Sequence, residues 1–384
     1  MRPVRIATTF VFAATLAITG CTAHSAGHLG ATPTPPSSSP PPPTTADHHG
    51  APPNPPVATL PLGHVQQLDA VQAVGDGGTV WAVGKGAILK TSDGGRSWAR
   101  VWRGAQELRE VDFVSASAGW ALGDHLLLGT VDGGRHWRVL GQPGVGPLRQ
   151  VHFASPSQGW GVAATRLVHS SDGGRTWQSL PAPARPQTVC FTAPDDGWLA
   201  SGRQVWRSVD GGRGWRRRFT LPLPPDGLPA DAELQCAAPG AAWVRFDAGD
   251  AAAGHIPYAL YATGDGGAHW RGVLAEGGTL AGELHLPPGP GSYPGPFSVI
   301  DPQRAVLLSP TPAAERTGAV RIGQGGRLRR LPDIPDATLS TIWPMSVSFA
   351  STTRGWVVGS DRARGAVILA TTDGGRSWQT QLRA

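Results

Sequence analysis

The sequence predicts an all-β fold assembled from one repeated four-stranded unit. Two repeated phrases and a tryptophan register carry that prediction. Asp-Gly-Gly-x-x-Trp occurs six times, at Asp93–Trp98, Asp132–Trp137, Asp172–Trp177, Asp210–Trp215, Asp265–Trp270 and Asp373–Trp378. The aspartates are separated by 39, 40, 38, 55 and 108 residues. The last gap is about two periods long and holds a worn copy, Gln324-Gly325-Gly326-Arg327.

Each phrase has a local reason. Asp accepts hydrogen bonds from backbone amides just after it, and two glycines permit positive φ without steric cost, so the phrase reads as a hairpin turn. Short apolar runs such as Ala87-Ile88-Leu89, Leu126-Leu127-Leu128 and Val367-Ile368-Leu369 precede the turns. Those runs and the residues after each turn are two strands of one unit. The second phrase supplies the other two strands: Val111-Asp112-Phe113 then Gly119-Trp120, Val151-His152-Phe153 then Gly159-Trp160, Val189-Cys190-Phe191 then Gly197-Trp198, and Val347-Ser348-Phe349 then Gly355-Trp356. Four short strands per period of about forty residues, repeated radially, is the pattern of a β-propeller. Seven periods predict a seven-bladed β-propeller of four-stranded antiparallel blades over residues 65–384.

Tryptophan placement tests that register. Of 15 Trp, six follow the turns and six more, Trp81, Trp120, Trp160, Trp198, Trp243 and Trp356, open the second strand of their units. Only Trp102, Trp206 and Trp343 are unassigned. Rings at equivalent positions between twisted sheets are structural, since they bury large apolar areas.

The first residues stand apart from the repeat. Arg2 and Arg5 lead into the apolar stretch Ile6–Gly20, short for a membrane span and read as a secretory signal over residues 1–20. It ends Leu16-Ala17-Ile18-Thr19-Gly20-Cys21, which resembles a bacterial lipobox; the resemblance implies that Cys21 is lipidated and becomes the mature N-terminus. An ordinary signal peptide with an incidental cysteine is the alternative. Residues 21–64, with runs such as Pro40–Pro43 and Pro52-Pro53-Asn54-Pro55-Pro56, predict an extended, disordered tether. Its histidines, His24, His28, His48 and His49, read as linker residues.

Charge excludes one class of partner. Without Arg2 and Arg5 the 33 basic residues fall to 31 against 27 acidic ones, too mild a balance for nucleic acid. Cys190 and Cys236 remain beside Cys21 in an oxidising compartment, and a disulfide between them or two buried free thiols are both open readings. They lie in the first strands of neighbouring units.

The turns, best seen in Thr91–Trp98 and Ser170–Trp177, resemble the Asp-box of sialidases and other propellers. That resemblance implies that Asp93, Asp132, Asp172, Asp210, Asp265 and Asp373 are structural turn residues remote from any active site. Sialidase chemistry would also need an arginine triad, a Tyr nucleophile with a Glu partner and an acid/base Asp. The chain has only Tyr258, Tyr261 and Tyr293 and no Arg-Ile-Pro phrase near its start. Two-carboxylate glycosidase chemistry is equally unmarked.

The fuller phrase, Gly78–Gly84 through Thr91–Trp98, resembles the photosystem II assembly and stability factor family across residues 65–384, with divergence in the fifth and sixth units. The resemblance implies a non-catalytic binding or assembly platform, with no cofactor and no metal site. The expectation is a lipid-anchored, extracytoplasmic monomer that binds an unknown protein or envelope component. The alternative is a sialidase-like propeller that binds or hydrolyses glycans.

Two features could carry binding. Arg96, Arg135, Arg175, Arg213, Arg327 and Arg376 occupy the same place after the glycine pair, a series broken by Ala268. They predict a broken ring of guanidinium groups facing an anionic partner, or a turn position that simply tolerates Arg. Insertions at about 221–233, 246–257, 275–296, 310–318 and 333–343 are expected on the opposite face. They offer Asp226, Asp231, Glu233, Asp247, Asp250, His255, Tyr258, Glu283, His285 and Trp343, as a recognition site or as plain solvated loops.

Overall fold

A computed structural model of the chain describes residues 62–141, 145–223, 229–248, 255–311, 316–334, 342–361 and 365–383. The expected signal, Cys21 and nearly all of the tether lie outside them, as do Asp226 and Asp250.

Alternating apolar runs and Gly-Gly turns produce a ring of antiparallel sheets, each a simple meander. The first sheet holds β1 (Leu68–Val74), β2 (Thr79–Thr91), β3 (Ala99–Phe113), β4 (Gly119–Gly123), β5 (Leu127–Thr130) and β6 (Arg138–Leu140). The second holds β7 (Leu148–Phe153), β8 (Gly159–Ala163), β9 (Arg166–Ser170) and β10 (Gln178–Leu180). The third holds β11 (Thr188–Phe191), β12 (Gly197–Ser201), β13 (Gln204–Ser208) and β14 (Arg216–Thr220). The fourth holds β15 (Pro229–Ala238), β16 (Ala241–Ala248), β17 (Tyr258–Thr263) and β18 (Arg271–Glu276), followed by the short helix α1 (Gly278–Leu284). The fifth holds β19 (Phe297–Asp301), β20 (Arg304–Thr311), β21 (Arg316–Ile322) and β22 (Leu328–Ile334). The last holds β23 (Ile342–Phe349), β24 (Gly355–Asp361), β25 (Gly365–Thr371) and β26 (Gln379–Arg383).

The propeller is therefore six-bladed, which corrects the expectation of seven. Five blades are four-stranded, and the first is a single six-stranded sheet that contains the first two sequence repeats. The cause is β3, whose first half pairs with β2 (Lys90 opposite Ala99) and whose second half pairs with β4 (Phe113 opposite Gly119). Residues 99–113 contain no proline, so the strand runs from one repeat into the next. Other connections carry Pro147, Pro181, Pro183, Pro186, Pro222 or Pro287, which lack the N–H that a ladder needs.

Between repeats the second phrase builds an aromatic stack. Trp81 lies on Phe113, Trp120 on Phe153 and Trp160 on Phe191, with ring centroids 4.0, 3.4 and 3.8 Å apart and nearly parallel planes. Each phenylalanine then meets the tryptophan after its own turn edge-on, as Phe153 meets Trp177 at 5.9 Å. Where a glycine precedes the second-strand tryptophan and a phenylalanine stands opposite, that ring requires it: a Cβ on Gly119, Gly159 or Gly197 would sit 2.3 Å from Phe113, Phe153 or Phe191. Trp81, Trp160, Trp198, Trp243 and Trp356 are fully buried. Each such ring removes on the order of 200 Å² from water.

The innermost strands are joined around the axis by side chains that bond the next strand's backbone. Gln72 accepts from Phe113 N at 2.6 Å, Asp112 from Phe153 N at 2.6 Å, Gln150 from Val189 N at 2.8 Å, and Gln235 from Val299 N at 3.0 Å. Ser298 accepts from Phe349 N at 2.9 Å. At the junction of β11 and β15 a covalent link takes this place: Cys190 is bonded to Cys236, with Cα atoms 5.9 Å apart. Cys190 faces Trp198 in register, as Asp112 faces Trp120 and His152 faces Trp160. Among the described residues the ring closes without a shared strand. Val71 N donates to Ser346 Oγ at 3.2 Å, Ala73 N to Ser348 Oγ at 3.0 Å, and Ala366 N to Val65 O at 3.0 Å.

Candidate functional site

The six turn aspartates are bound into their own turns. At Asp172, Thr176 N and Thr176 Oγ1 donate to the two carboxylate oxygens at 2.9 and 2.6 Å, and Ser170 Oγ donates at 2.8 Å. Gly174 N in turn donates to Ser170 Oγ at 2.8 Å. Asp93 and Asp373 repeat the pattern with Ser97 and Ser377. His136 and His269 replace the hydroxyl at Asp132 and Asp265, at 2.5 and 2.7 Å. Gly214 gives Asp210 only its amide. The Ser97 hydroxyl, then the Ser97 amide and the Thr91 hydroxyl, hold the Asp93 carboxyl well below its usual range. At Asp265 the His269 amide and imidazole bring it to about 2. At Asp373 burial pushes upward, but the Ser377 and Thr371 bonds together outweigh it and the result is about 2. The worn copy keeps the backbone without the acid, with Gly325 and Gly326 at φ 71° and 77°.

Hydrogen bonds fix which loops share this face. Gly94 N, Gly133 N, Gly173 N and Gly374 N each donate to the carbonyl of the loop between the first two strands of the same repeat, at Gly78, Ser117, Ser157 and Thr353. Arg96, Arg135, Arg175, Arg213, Arg327 and Arg376 are all exposed here, one per turn. Arg175, Arg213 and Arg376 curl back to the carbonyls of Asp172, Asp210 and Asp373 at 2.7, 3.0 and 3.1 Å.

A second set of cations was not singled out in the sequence. Lys90 Nζ donates to Gly133 O at 2.9 Å, Arg207 pairs with Asp196 at 2.7 Å, and Arg354 donates to Asp76 O at 3.1 Å. Each also lies over a tryptophan, Trp81, Trp198 or Trp356, at 4.9, 5.6 and 5.6 Å from the ring centroid. Lys90 and Arg207 sit three residues before Asp93 and Asp210, so the repeat register was the signal that could have found them, whereas Arg354, just before Gly355-Trp356, lies outside that register.

Buried titratable groups line the inner strands. Burial raises Asp112 to about 7 and drives Glu110 well above its ordinary value, with the Asp112 charge adding to the latter. Burial lowers His152 to about 4, and its Nε2 donates to Phe191 O at 2.7 Å. Asp112 and His152 approach only to 3.8 Å, and each is committed to a neighbouring strand's backbone.

On the opposite face the chain brings together Glu233, Arg245 and Asp247. The Arg245 guanidinium meets Glu233 at 2.9 Å and Asp247 at 2.7 Å, and donates to Gly295 O. Burial raises Glu233 to about 7, with Arg245 opposing it. Tyr258 is buried beneath, its hydroxyl bonded to Gly291 O and Ser309 Oγ at 3.1 and 3.0 Å, and burial raises its pKa. Tyr261 packs on Phe219, while Tyr293 meets Trp343 edge-on at 5.7 Å. Gln187 reaches Asp231 at 3.2 Å. His255, Glu283 and His285 are exposed. Among the described residues no three His, Cys, Asp or Glu side chains gather closely enough to hold a metal ion.

No family model matches the chain, and no curated protein matches it. Solved structures do. YCF48 from Cyanidioschyzon merolae is 15% identical over 82% of this chain and 98% of its own, with a TM-score of 0.55. YCF48 bound to D1 peptide is 14% identical over 83% and 97%, with a TM-score of 0.53. The GH74 enzyme of Niastella koreensis is 14% identical over 83% of this chain and 55% of its own, with a TM-score of 0.59. At these identities the likeness is one of fold.

Proposed function

We propose that this chain is an exported propeller, anchored to the extracytoplasmic side of the membrane through Cys21, that binds a protein partner and performs no chemistry. The observation that carries this reading is the engagement of its acids. The turn carboxylates hold their turns, and Asp112 and Glu110 bond adjacent strands. Glu233 and Asp247 pair with Arg245. General acid/base work needs a carboxyl within hydrogen-bond reach of substrate, and these are turned to the fold itself.

The partner is assigned to the face opposite the Asp turns, where α1 follows β18, residues 287–289 bond the edge of the fourth sheet, residues 293–296 bond the fifth, and the repeat is interrupted. Loops on a rigid scaffold are where recognition usually sits. The similarity to YCF48 bound to D1 peptide supports a binding role. A photo-crosslinker placed at Glu283 in intact cells is expected to trap a discrete envelope protein, and one at Ser97 is not. Equal trapping at both, or none at Glu283, would overturn the assignment. Metabolic labelling with a fatty-acid precursor should mark the wild type and spare Cys21→Ala.

A glycan-directed reading has one observation behind it, the GH74 likeness together with the Tyr293–Trp343 pair on the insertion face. Hydrolysis of, or saturable binding to, any member of an oligosaccharide panel, lost in Trp343→Ala, would favour it.

A further inference from the structure

Two pairs of arginines stand directly opposite one another across neighbouring strands: Arg207 faces Arg216 between β13 and β14, and Arg321 faces Arg329 between β21 and β22. Like charges at opposed positions destabilise a sheet. Arg207 has Asp196 as a partner, whereas Arg216 and Arg329 are exposed. The nearby Arg376 and Arg329 charges add to burial in lowering the Arg321 pKa.

These pairs belong to one continuous strip. Arg218 lies against the Gly267 turn of the fourth sheet, Arg271 of that sheet lies against Gly326 of the fifth, and Arg321 lies against Gly374 of the last. Exposed Arg213, Arg327 and Arg376 stand on the turns along the way. The acids of the strip, Asp195, Asp196, Asp210, Asp265, Asp301 and Asp373, are outnumbered by its arginines, and Asp196 and Asp301 are already paired with Arg207 and Arg304. Val209, 63% exposed, precedes Asp210 in the same strip.

We propose that the Asp-turn face of the third to last sheets docks on an anionic bilayer surface, through the phosphates of lipid headgroups. Guanidinium groups match phosphate oxygens in pairs. Cations spread over successive sheets, running from the turns onto outer strands rather than around one concavity, suit a planar array of charges better than a single peptide. An exposed aliphatic side chain among cations is what an interfacial contact uses. Membrane docking here leaves the insertion face free for a protein partner, and does not depend on the Cys21 anchor.

The test is co-sedimentation of the full chain with vesicles of neutral phosphatidylcholine, or of phosphatidylcholine with a third phosphatidylglycerol. Any apolar contribution from residues 1–61 is read in the neutral reference, and their charges are common to the wild type and every variant. The anionic-to-neutral partition ratio is expected to be about tenfold or more at low salt and to approach one in 0.5 M salt, since each surface cation near an anionic leaflet adds roughly a factor of five before screening. Arg216→Gln/Arg327→Gln/Arg329→Gln should lower the ratio to about two. It should melt no lower than the wild type, because opposed like charges have been removed. Arg149→Gln/Arg185→Gln, at exposed residues of the opposite face, should keep the ratio. A wild-type ratio near one would overturn the proposal, as would an unchanged ratio in the triple variant, an equal loss in the control, or a lower melting temperature marking these arginines as structural. Binding to immobilised polyglutamate without binding to anionic vesicles would also overturn it, in favour of an acidic protein.

Discussion

At the scale of single residues, the most constrained positions are the glycines under the aromatic rings. A methyl group on Gly159 would stand 2.3 Å from Phe153 Cε1, in a stack already closed on its other side by Trp120. Gly159→Ala is expected to lower the free energy of unfolding by about 1–3 kcal/mol. Urea denaturation should show that loss shrinking when Phe153→Leu is introduced beside it, and an unchanged loss would separate the glycine from the ring. The phrase Phe…Gly-Trp was legible in the sequence, whereas its reason was not, because the third ring comes from the preceding repeat. Its exceptions make sense only with the register known. Val80, Ala242 and Ala305 replace the glycine where Ala73, Cys236 and Val299 replace the phenylalanine. The turn aspartates were legible entirely, since every partner lies within four residues. Arg245, central to the insertion face, was missed: it sits two residues after Trp243 at a position the repeat does not mark, and its partners come from an adjacent strand and a distant loop.

At the scale of elements, the repeat predicted strand order well and blade separation less well. Turn chemistry marks where a hairpin reverses, but no residue marks where one repeat hands over to the next. β3 shows the consequence, running 15 residues through that boundary where proline is missing. The Cys190–Cys236 link is the other element-scale feature, replacing a side-chain bond between innermost strands with a covalent one. Position in the chain left pairing open, because contact between adjacent sheets has no periodic signature of its own. Cys190→Ala/Cys236→Ala should cost about 2–4 kcal/mol, as expected for a closed loop of this size. The loss should be uneven. Hydrogen exchange is expected to quicken at β11 and β15 more than at β7 or β23, where inner-strand bonds remain, and uniform acceleration around the ring would contradict a local role.

At the scale of the whole molecule, buried acids and turn acids pull the pH dependence of stability in opposite senses. Burial raises Asp69 to about 6, Asp112 to about 7, Glu233 to about 7 and Glu110 well above its ordinary value. The contribution of Asp69, Asp112 and Glu233 is full below their unfolded values of 3.8 to 4.5 and is lost as pH rises through about 6 to 7, and that of Glu110 is lost well above its unfolded 4.5. His152, lowered by burial to about 4, contributes above 6.5 and loses that contribution as pH falls through about 4. The turn aspartates are held low, so their support is present above 3.8 and disappears toward about 2. Four carboxyls against one imidazole place maximum stability between about pH 4 and 6, with decline toward pH 8. Thermal melts across that range check it, and a higher melting temperature at pH 8 than at pH 5 would contradict it. Closure between β1 and β23 by serine hydroxyls has a consequence for assembly order. Among the described residues no sheet takes a strand from the far end of the chain, so each can complete itself as soon as its own residues are free to fold. Joining first to last is then a docking of two finished bodies, and the ring has a clasp that can open while every sheet stays whole.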